Sequence, residues 1–474
     1  MLRCRQFEIF ANFSKGQEDC LFLNIFTPQN RSFNNLLPVF IYIHGGAFMF
    51  GAGSSYSPKT IMNAGNMLVV TINYRLGPLG FLSTEDGIIP GNLGLKDQQL
   101  ALKWIKQNIY LFGGDPEKIL LTGQSAGGAS VHLHVLKKET ENLVSAAVAI
   151  SGSALNPWVM QMNAKEKTKT LAKMLNCKCQ GKKLKSCLQE QPIENINSAV
   201  GTMFKFLDNP FNLFGPVVEK ENTPGAFMTA DPQNLIERGE IANIPFMLTF
   251  TTEEGAYNAA SLLRKNEKGL DYIEELNERW FELAPYLLFY YDKPCKKCKQ
   301  MLSKSLKEMY MGKEIFSRKS YLKLQKMFSD LIFINGILET IILHRMFGPR
   351  PVYSYIYANP HNYGVGNFLA NDLEFEFGAT HGDDEVLFLP FAFSTNYTSK
   401  VNDMKISKYF LKMFETFVSE GIPVFKDTSL PANGNNLEPI QFLQIFEKIY
   451  FIGPWSTSNT NLQECQQRKN CFSY

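Results

Sequence analysis

Two kinds of hydrophobic pattern run along this chain, and the switch from one to the other marks the elements. Pro38 to His44 (PVFIYIH) and Met67 to Asn73 are apolar at nearly every position, as expected of strands covered on both faces. Ala146 to Ile150, Ile244 to Thr251 (IPFMLTFT) and Val352 to Tyr357 read the same way, and Ile119 to Leu121 is a shorter run of this kind. Cys20 to Phe26 alternates instead and stops at Thr27-Pro28, as a half-covered strand does. Between these runs, Leu95 to Tyr110 has helical periodicity and Gly128 to Leu136 reads as an amphipathic helix. Residues 160 to 240 read as helical and irregular, and 260 to 347 as a long helical region. Its most apolar part, Leu331 to Leu343, is interrupted by Asn335, Gly336 and Glu339 and reads as a buried helix, not a membrane span. Strands alternating with helices predict an α/β fold with a central, mostly parallel, twisted sheet flanked by helices. With no internal repeat, low-complexity linker or composition break, a single domain over 1–474 is the simplest reading.

The candidate chemistry centres on Gly123-Gln124-Ser125-Ala126-Gly127, where the apolar run at 119–121 feeds the helix after it. Strand, Gly-x-Ser-x-Gly and helix together make a nucleophile elbow. The turn is so tight that small residues must flank the serine. It lifts the Ser125 hydroxyl above the sheet, beside the unpaired N–H groups of a helix N-terminus.

Composition narrows the picture further. A net charge of +3 is small for 474 residues and argues against a nucleic-acid surface. The lysine clusters at Lys165–Lys173, Lys182–Lys185 and Lys296–Lys299 are local and read as solvated faces. Nine cysteines are too few for a disulfide scaffold, yet more patterned than is usual in a cytosolic enzyme. Glycosylation sequons stand at Asn12, Asn30 and Asn396, each in a predicted loop. Together with paired cysteines they suggest a secreted, extracellular glycoprotein, although MLRCRQFEIF holds no signal-peptide core.

Several motifs carry a family resemblance. Glu18-Asp19-Cys20-Leu21-Phe22-Leu23-Asn24-Ile25-Phe26-Thr27-Pro28 is similar to one signature of the type-B carboxylesterase/cholinesterase family. Phe112-Gly113-Gly114-Asp115, continuing to Gly123-Gln124-Ser125-Ala126-Gly127-Gly128, resembles the other, and Asn73-Tyr74-Arg75-Leu76-Gly77 and Gly94-Leu95-Lys96-Asp97-Gln98 are also similar to family motifs. The resemblance runs from about residue 4 to the C-terminus and leans towards invertebrate carboxylesterases, including juvenile hormone esterases. It implies an α/β-hydrolase fold and an esterase that needs no metal or cofactor, with a small-molecule ester as its partner.

An esterase serine needs a base, and the base an orienting acid. Of six histidines, His381 in Gly378-Ala379-Thr380-His381-Gly382-Asp383 lies where the family's catalytic histidine belongs; His361 is its rival. His132 and His134 read as packing or surface residues, His344 as a cation suited to a helix C-terminus, and His44 as holding the following loop. The order Ser, acid, His fits this fold. The family sets its acid before a glycine, which selects Glu254 in Thr251-Thr252-Glu253-Glu254-Gly255, with Glu253 as its flanking alternative. The resemblance assigns the oxyanion donors to the N–H groups of Gly46, Ala47 and Ala126. Ala47 stands where many relatives have a third glycine, and its N–H survives that change. Ser151 and Asp384 match family positions near the triad, and the resemblance pairs Arg75 with Asp97 as a buried salt bridge, with two independent loop charges as the alternative. Gln124 stands where cholinesterases carry Glu.

The resemblance pairs Cys4 with Cys20, and Cys187 with Cys177 in preference to Cys179. Cys295 and Cys298 are expected to bridge one another or Cys465 and Cys471, with a metal or redox role as the alternative. Relatives have several tens of residues before the first disulfide, so an N-terminally incomplete chain is expected. The Cys4–Cys20 loop carries Phe7, Phe10 and Phe13 but no Trp to hold a quaternary ammonium, which favours neutral, apolar esters. Phe48, Trp158 and Phe214 are candidates for the substrate pocket, with core packing as the alternative. The competing function is a catalytically silent adhesion or scaffold protein; a narrower one is a juvenile-hormone-type esterase.

Overall fold

The near-continuous apolar runs expected to be covered strands form strands whose residues are mostly buried. In the computed structural model, which describes residues 3–8, 13–29, 34–391, 401–434, 438–446 and 449–454, nine strands form one sheet. They are β1 (Leu23–Phe26), β2 (Leu37–Ile43), β3 (Leu68–Ile72), β4 (Gly114–Gln124), β5 (Ala146–Ile150), β6 (Phe246–Thr251), β7 (Val352–Tyr357), β8 (Gln441–Phe446) and β9 (Ile449–Pro454). Their spatial order is β9-β8-β7-β6-β5-β4-β2-β3-β1. Neighbours from β8 to β3 are parallel, and the edge strands β1 and β9 run antiparallel. The expected mostly parallel sheet is therefore present.

Side-chain alternation divides these strands between two cores. Val39, Ile41 and Ile43 of β2 and Ile119 and Leu121 of β4 enter one. Phe40, Tyr42 and Leu120 enter the other, against Phe410, Phe414 and Phe417 of a helix at Val401–Glu420. Period-two alternation with apolar residues on both faces produces the near-continuous runs seen in the sequence.

The helix expected over Leu95–Tyr110 spans Leu93–Asn108, and we call it α1. The segment after the elbow is helix α2, Ala126–Val135. The expectation that it is amphipathic is corrected: all ten residues are buried, because the sheet packs on one side and later chain covers the other. The stretch Arg318–Phe347 is helical and, among the described residues, the one long and apolar enough to cross a bilayer. Ile332, Phe333, Ile337 and Ile341 within it are buried in the core, which agrees with the buried-helix reading.

Among the described residues, three disulfides join Cys4 to Cys20, Cys177 to Cys187 and Cys295 to Cys298. Cys179 is a free thiol, and Cys465 and Cys471 lie outside the described residues. The first disulfide loop, read only as a loop, contains a hairpin pairing Gln6–Glu8 with Phe13–Lys15. The sequons at Asn12, Asn30 and Asn396 also fall outside the described residues. Arg75 and Asp97 form a two-pronged ion pair with both contacts at 2.7 Å. It is half-buried rather than buried, since the arginine side chain keeps 36% exposure. The lysine cluster at 165–173 is solvated except at Lys167, which turns over the Tyr291 ring at 5.2 Å and is held by burial at a pKa of about 8.

Candidate active site

β4 ends at Gln124 and α2 begins at Ala126, leaving Ser125 alone to make the turn. Its backbone sits at φ 59°, ψ −122°, a conformation that costs energy for any residue with a Cβ. The turn is clamped between neighbouring strand ends, with Ser125 N–H donating to Ile150 O at 2.8 Å. A Cβ on Gly127 would lie 2.0 Å from Ile43 O, and one on Gly123 would lie 2.5 Å from Gly127. The glycines of the motif are thus required by the approach of β2 to the helix start.

Glu254 follows β6, the second strand from β4. One of its oxygens accepts from Thr251 N–H at 2.8 Å and Ser151 Oγ at 2.5 Å. The other, Oε2, faces His381 Nδ1 at 2.5 Å. Both residues are almost wholly buried. A Glu253 N–H to Ala379 O bond of 2.9 Å joins the acid's turn to the histidine's. Asp383 Oδ2 holds the histidine turn by accepting from Thr380 N–H and Oγ1, each at 2.7 Å. The ring of His381 packs against Phe333, centroids 4.5 Å apart, and against Tyr257, 5.0 Å apart. Glu253 points elsewhere, accepting from Gln325 at 2.8 Å, and His361 is 3.1 Å from the Tyr357 hydroxyl.

The third expected contact is not closed. His381 Nε2 stands 3.0 Å from Gln124 Nε2, and among the described residues no hydrogen bond joins it to Ser125. The physical reason is local. With Nδ1–H directed at the Glu254 carboxylate, Nε2 carries a lone pair, and the adjacent carboxamide N–H is a suitable donor. The sequence marks Gln124 only as standing where cholinesterases carry Glu; its contact with His381 was not foreseen.

Beyond β2 the chain enters the left-handed region three times in succession, at Gly46 (φ 107°), Ala47 (φ 55°) and Phe48 (φ 59°). Met49 and Phe50 N–H both donate to Gly46 O, at 2.8 and 3.0 Å, which fixes this loop as a tight turn. Gly46 is half-buried, and Ala47 and Ala126, the latter at the first position of α2, are buried. Ala47 keeps its N–H at the cost of about 1 kcal/mol for a left-handed alanine. His44 braces the loop, its Nδ1 2.8 Å from Gly45 O and its ring stacked on Tyr74. Burial lowers its pKa to about 4 and keeps it neutral.

The remaining histidines are structural. His132 Nδ1 accepts from Ala154 N–H at 3.0 Å, and its Nε2 meets His344 Nε2 at 3.0 Å. The expectation that His344 is a cationic helix cap is therefore corrected: desolvation drives its pKa down to about 3 and leaves it neutral. Phe48 and Trp158 are fully buried and pack on each other and on Phe81 and Phe211; Phe214 is likewise buried. All three pocket candidates sit in the core. Asp384 accepts from the Tyr355 hydroxyl at 2.8 Å, and burial raises its pKa to about 7. The sequence reading missed Tyr257 and Phe333 as the walls of His381. A signal for Tyr257 was present, since it follows Glu254 by three residues at a helix start.

Known proteins agree with this architecture. The profile of the Carboxylesterase family matches residues 2–462. Esterase P of Drosophila melanogaster is 44% identical over 450 residues, covering 92% of this chain and 82% of that protein. Esterase-5B of Drosophila persimilis is 45% identical over 408 residues, covering 85% and 74% respectively. The crystal structure of juvenile hormone esterase from Manduca sexta superposes with a TM-score of 0.80 over 99% of this chain and 88% of that one, at 24% identity. That likeness speaks for the shared α/β-hydrolase fold. The chain belongs to the carboxylesterase family and is a carboxylic ester hydrolase.

Proposed function

We propose that Ser125, His381 and Glu254 form the catalytic triad of this hydrolase and that it works through an acyl-enzyme on neutral, apolar esters. The observation that carries the reading is the 2.5 Å contact of His381 Nδ1 with Glu254 Oε2, with Nε2 of the same ring 3.0 Å from Gln124, the residue before the strained Ser125. Gln124 first rotates off Nε2, and His381 then takes the Ser125 proton as the hydroxyl oxygen attacks the ester carbonyl. The new oxyanion receives N–H bonds from Gly46, Ala47 and Ala126, each of which supplies roughly 10²–10³ in rate. Collapse expels the alcohol, which leaves with the proton held by His381. Water, deprotonated by the same ring, then releases the acid and restores the serine. Glu254 holds the ring in the required tautomer and offsets its transient positive charge.

A preference for uncharged esters is supported by Gln124 in place of a carboxylate. Paired cysteines support an extracellular setting, in keeping with the three sequons. We read the described residues as one catalytic domain.

A fluorophosphonate probe should label wild-type protein at Ser125, and Ser125→Ala should lose both labelling and on the order of 10⁶ in kcat. Near-normal ester hydrolysis by the alanine variant would refute the assignment. An unlabelled Ser125 in folded protein would favour a catalytically silent scaffold.

A further inference from the structure

The segment Cys295-Lys296-Lys297-Cys298 has no part in the proposed ester chemistry, and its disulfide differs from the other two described in three ways. Both of its cysteines are exposed. Cys4 and Cys20 are almost wholly buried, and Cys177 is buried with Cys187 half-buried. The bridge spans three positions of chain, against 16 and 10 for the others, so it restricts the unfolded chain least. It also sits at the start of the helix Lys296–Met311, where Cys295 is the cap and its Sγ accepts from Cys298 N–H at 3.1 Å. That helix is anchored further along. Trp280 Nε1 donates to Ser303 O at 2.8 Å, the Tyr290 hydroxyl meets Ser303 Oγ at 2.6 Å, and Leu306 and Met311 are buried. This anchoring is independent of the bridge.

Lys293, Lys296, Lys297 and Lys299 flank the two cysteines, and Asp292 is the one acid from 292 to 300. All of these lysines but Lys299 are exposed. The helix start and the lysines both favour negative charge on Cys295 sulfur, and the lysines also draw an anionic reagent towards it. We propose that Cys295–Cys298 is a thiol-exchange site, which takes up an anionic, carboxylate-bearing thiol as a mixed disulfide. The incoming thiolate bonds to Cys298 Sγ as the Cys295–Cys298 bond breaks, and the electron pair of that bond leaves on Cys295 Sγ. Attack falls on Cys298 because Cys295, beside an N–H donor, is the better leaving group. Return attack by the Cys295 thiolate on Cys298 sulfur expels the thiol and restores the bridge. One disulfide is broken and one formed, so no further oxidant or reductant is needed.

The test exposes the whole chain to glutathione, which is anionic, and to cysteamine, which is cationic, at equal thiolate concentration. Alkylation then traps the freed cysteine, and peptide mass mapping locates both groups. Glutathione is expected on Cys298 and the alkyl group on Cys295, with Cys4–Cys20 and Cys177–Cys187 intact. At low salt glutathione should react about tenfold faster than cysteamine, and at about 1 M salt the two rates should converge. Lys296→Gln with Lys297→Gln should remove most of that preference, with ester hydrolysis and melting temperature as in wild type. Exchange no faster at Cys295–Cys298 than at Cys177–Cys187, equal rates for the two thiols at low salt, or glutathione attached to Cys295 each overturns the proposal. The wild-type measurements need no variant to fold. Because the adduct is read directly, such a result leaves the triad assignment untouched, and a failed triad assignment leaves this one standing.

Discussion

At the scale of single residues, the proposed triad turns on His381 Nε2. Its partner at rest is Gln124 Nε2, 3.0 Å away, and a carboxamide can present either a donor or an acceptor to the ring as protonation changes. A carboxylate at the same place could only accept, and it would favour the protonated ring. Gln124→Glu should therefore move the acid limb of the pH profile of kcat/KM upward by about one unit, the direction set by an added negative charge. An unchanged limb in a folded, active variant would show that residue 124 turns away from the base during turnover. His381 and Glu254 stand out in the sequence because their surroundings resemble family motifs. Residues that wall the ring do not, since Phe333 belongs to a helix 48 positions earlier in the chain, with no local signature of its own.

At the scale of elements, the elbow depends on how closely β2 approaches the start of α2. Because an added Cβ at residue 127 meets backbone and not a movable side chain, Gly127→Ala must displace either β2 or α2. The expected cost lies at the upper end of the roughly 1–3 kcal/mol typical of overpacking, with loss of hydrolysis as Ser125 shifts. Denaturation midpoints alongside specific activity measure both, and a fully active variant of wild-type stability would contradict the packing argument. The buried parallel strands were legible because two covered faces leave an unbroken apolar run. Strands β8 and β9 and the helix at Val401–Glu420 were not recognised. β8 shows why: its burial is mixed, with Gln441 and Gln444 only half-covered, so its pattern is neither a continuous run nor a clean alternation.

For the whole molecule, pH dependence of stability follows from buried groups that titrate away from their usual range. His44, His134 and His344 are held neutral, at about 4, 3 and 3, and His132 is shifted the same way. An unfolded histidine takes a proton near pH 6.5. Between there and about pH 4 the unfolded chain thus binds more protons, and stability falls as pH falls. Asp384, raised to about 7, acts in the opposite sense. The folded state keeps its proton where the unfolded state has lost it, so its contribution declines as pH rises from about 4 to 7. Replacing His344 with Asn should flatten the acid-side loss of stability by about 1.4 kcal/mol per pH unit, one proton's worth. Asp384→Asn should steepen it. Chemical denaturation at pH 4, 5 and 6 tests both signs, and a His344→Asn slope equal to wild type would mean that the ring is not held neutral.

What the sequence determined by itself is whatever a short stretch of chain encodes: apolar runs for buried strands, Gly-x-Ser-x-Gly for the elbow, and motif surroundings for Glu254 and His381. Tertiary structure alone decided which side chain rests on the base, that Phe48, Trp158 and Phe214 belong to the core, and that His344 is neutral. These outcomes depend on which distant segments come to lie against one another. Burial and desolvation are properties of that assembled neighbourhood, and no single stretch of chain carries them.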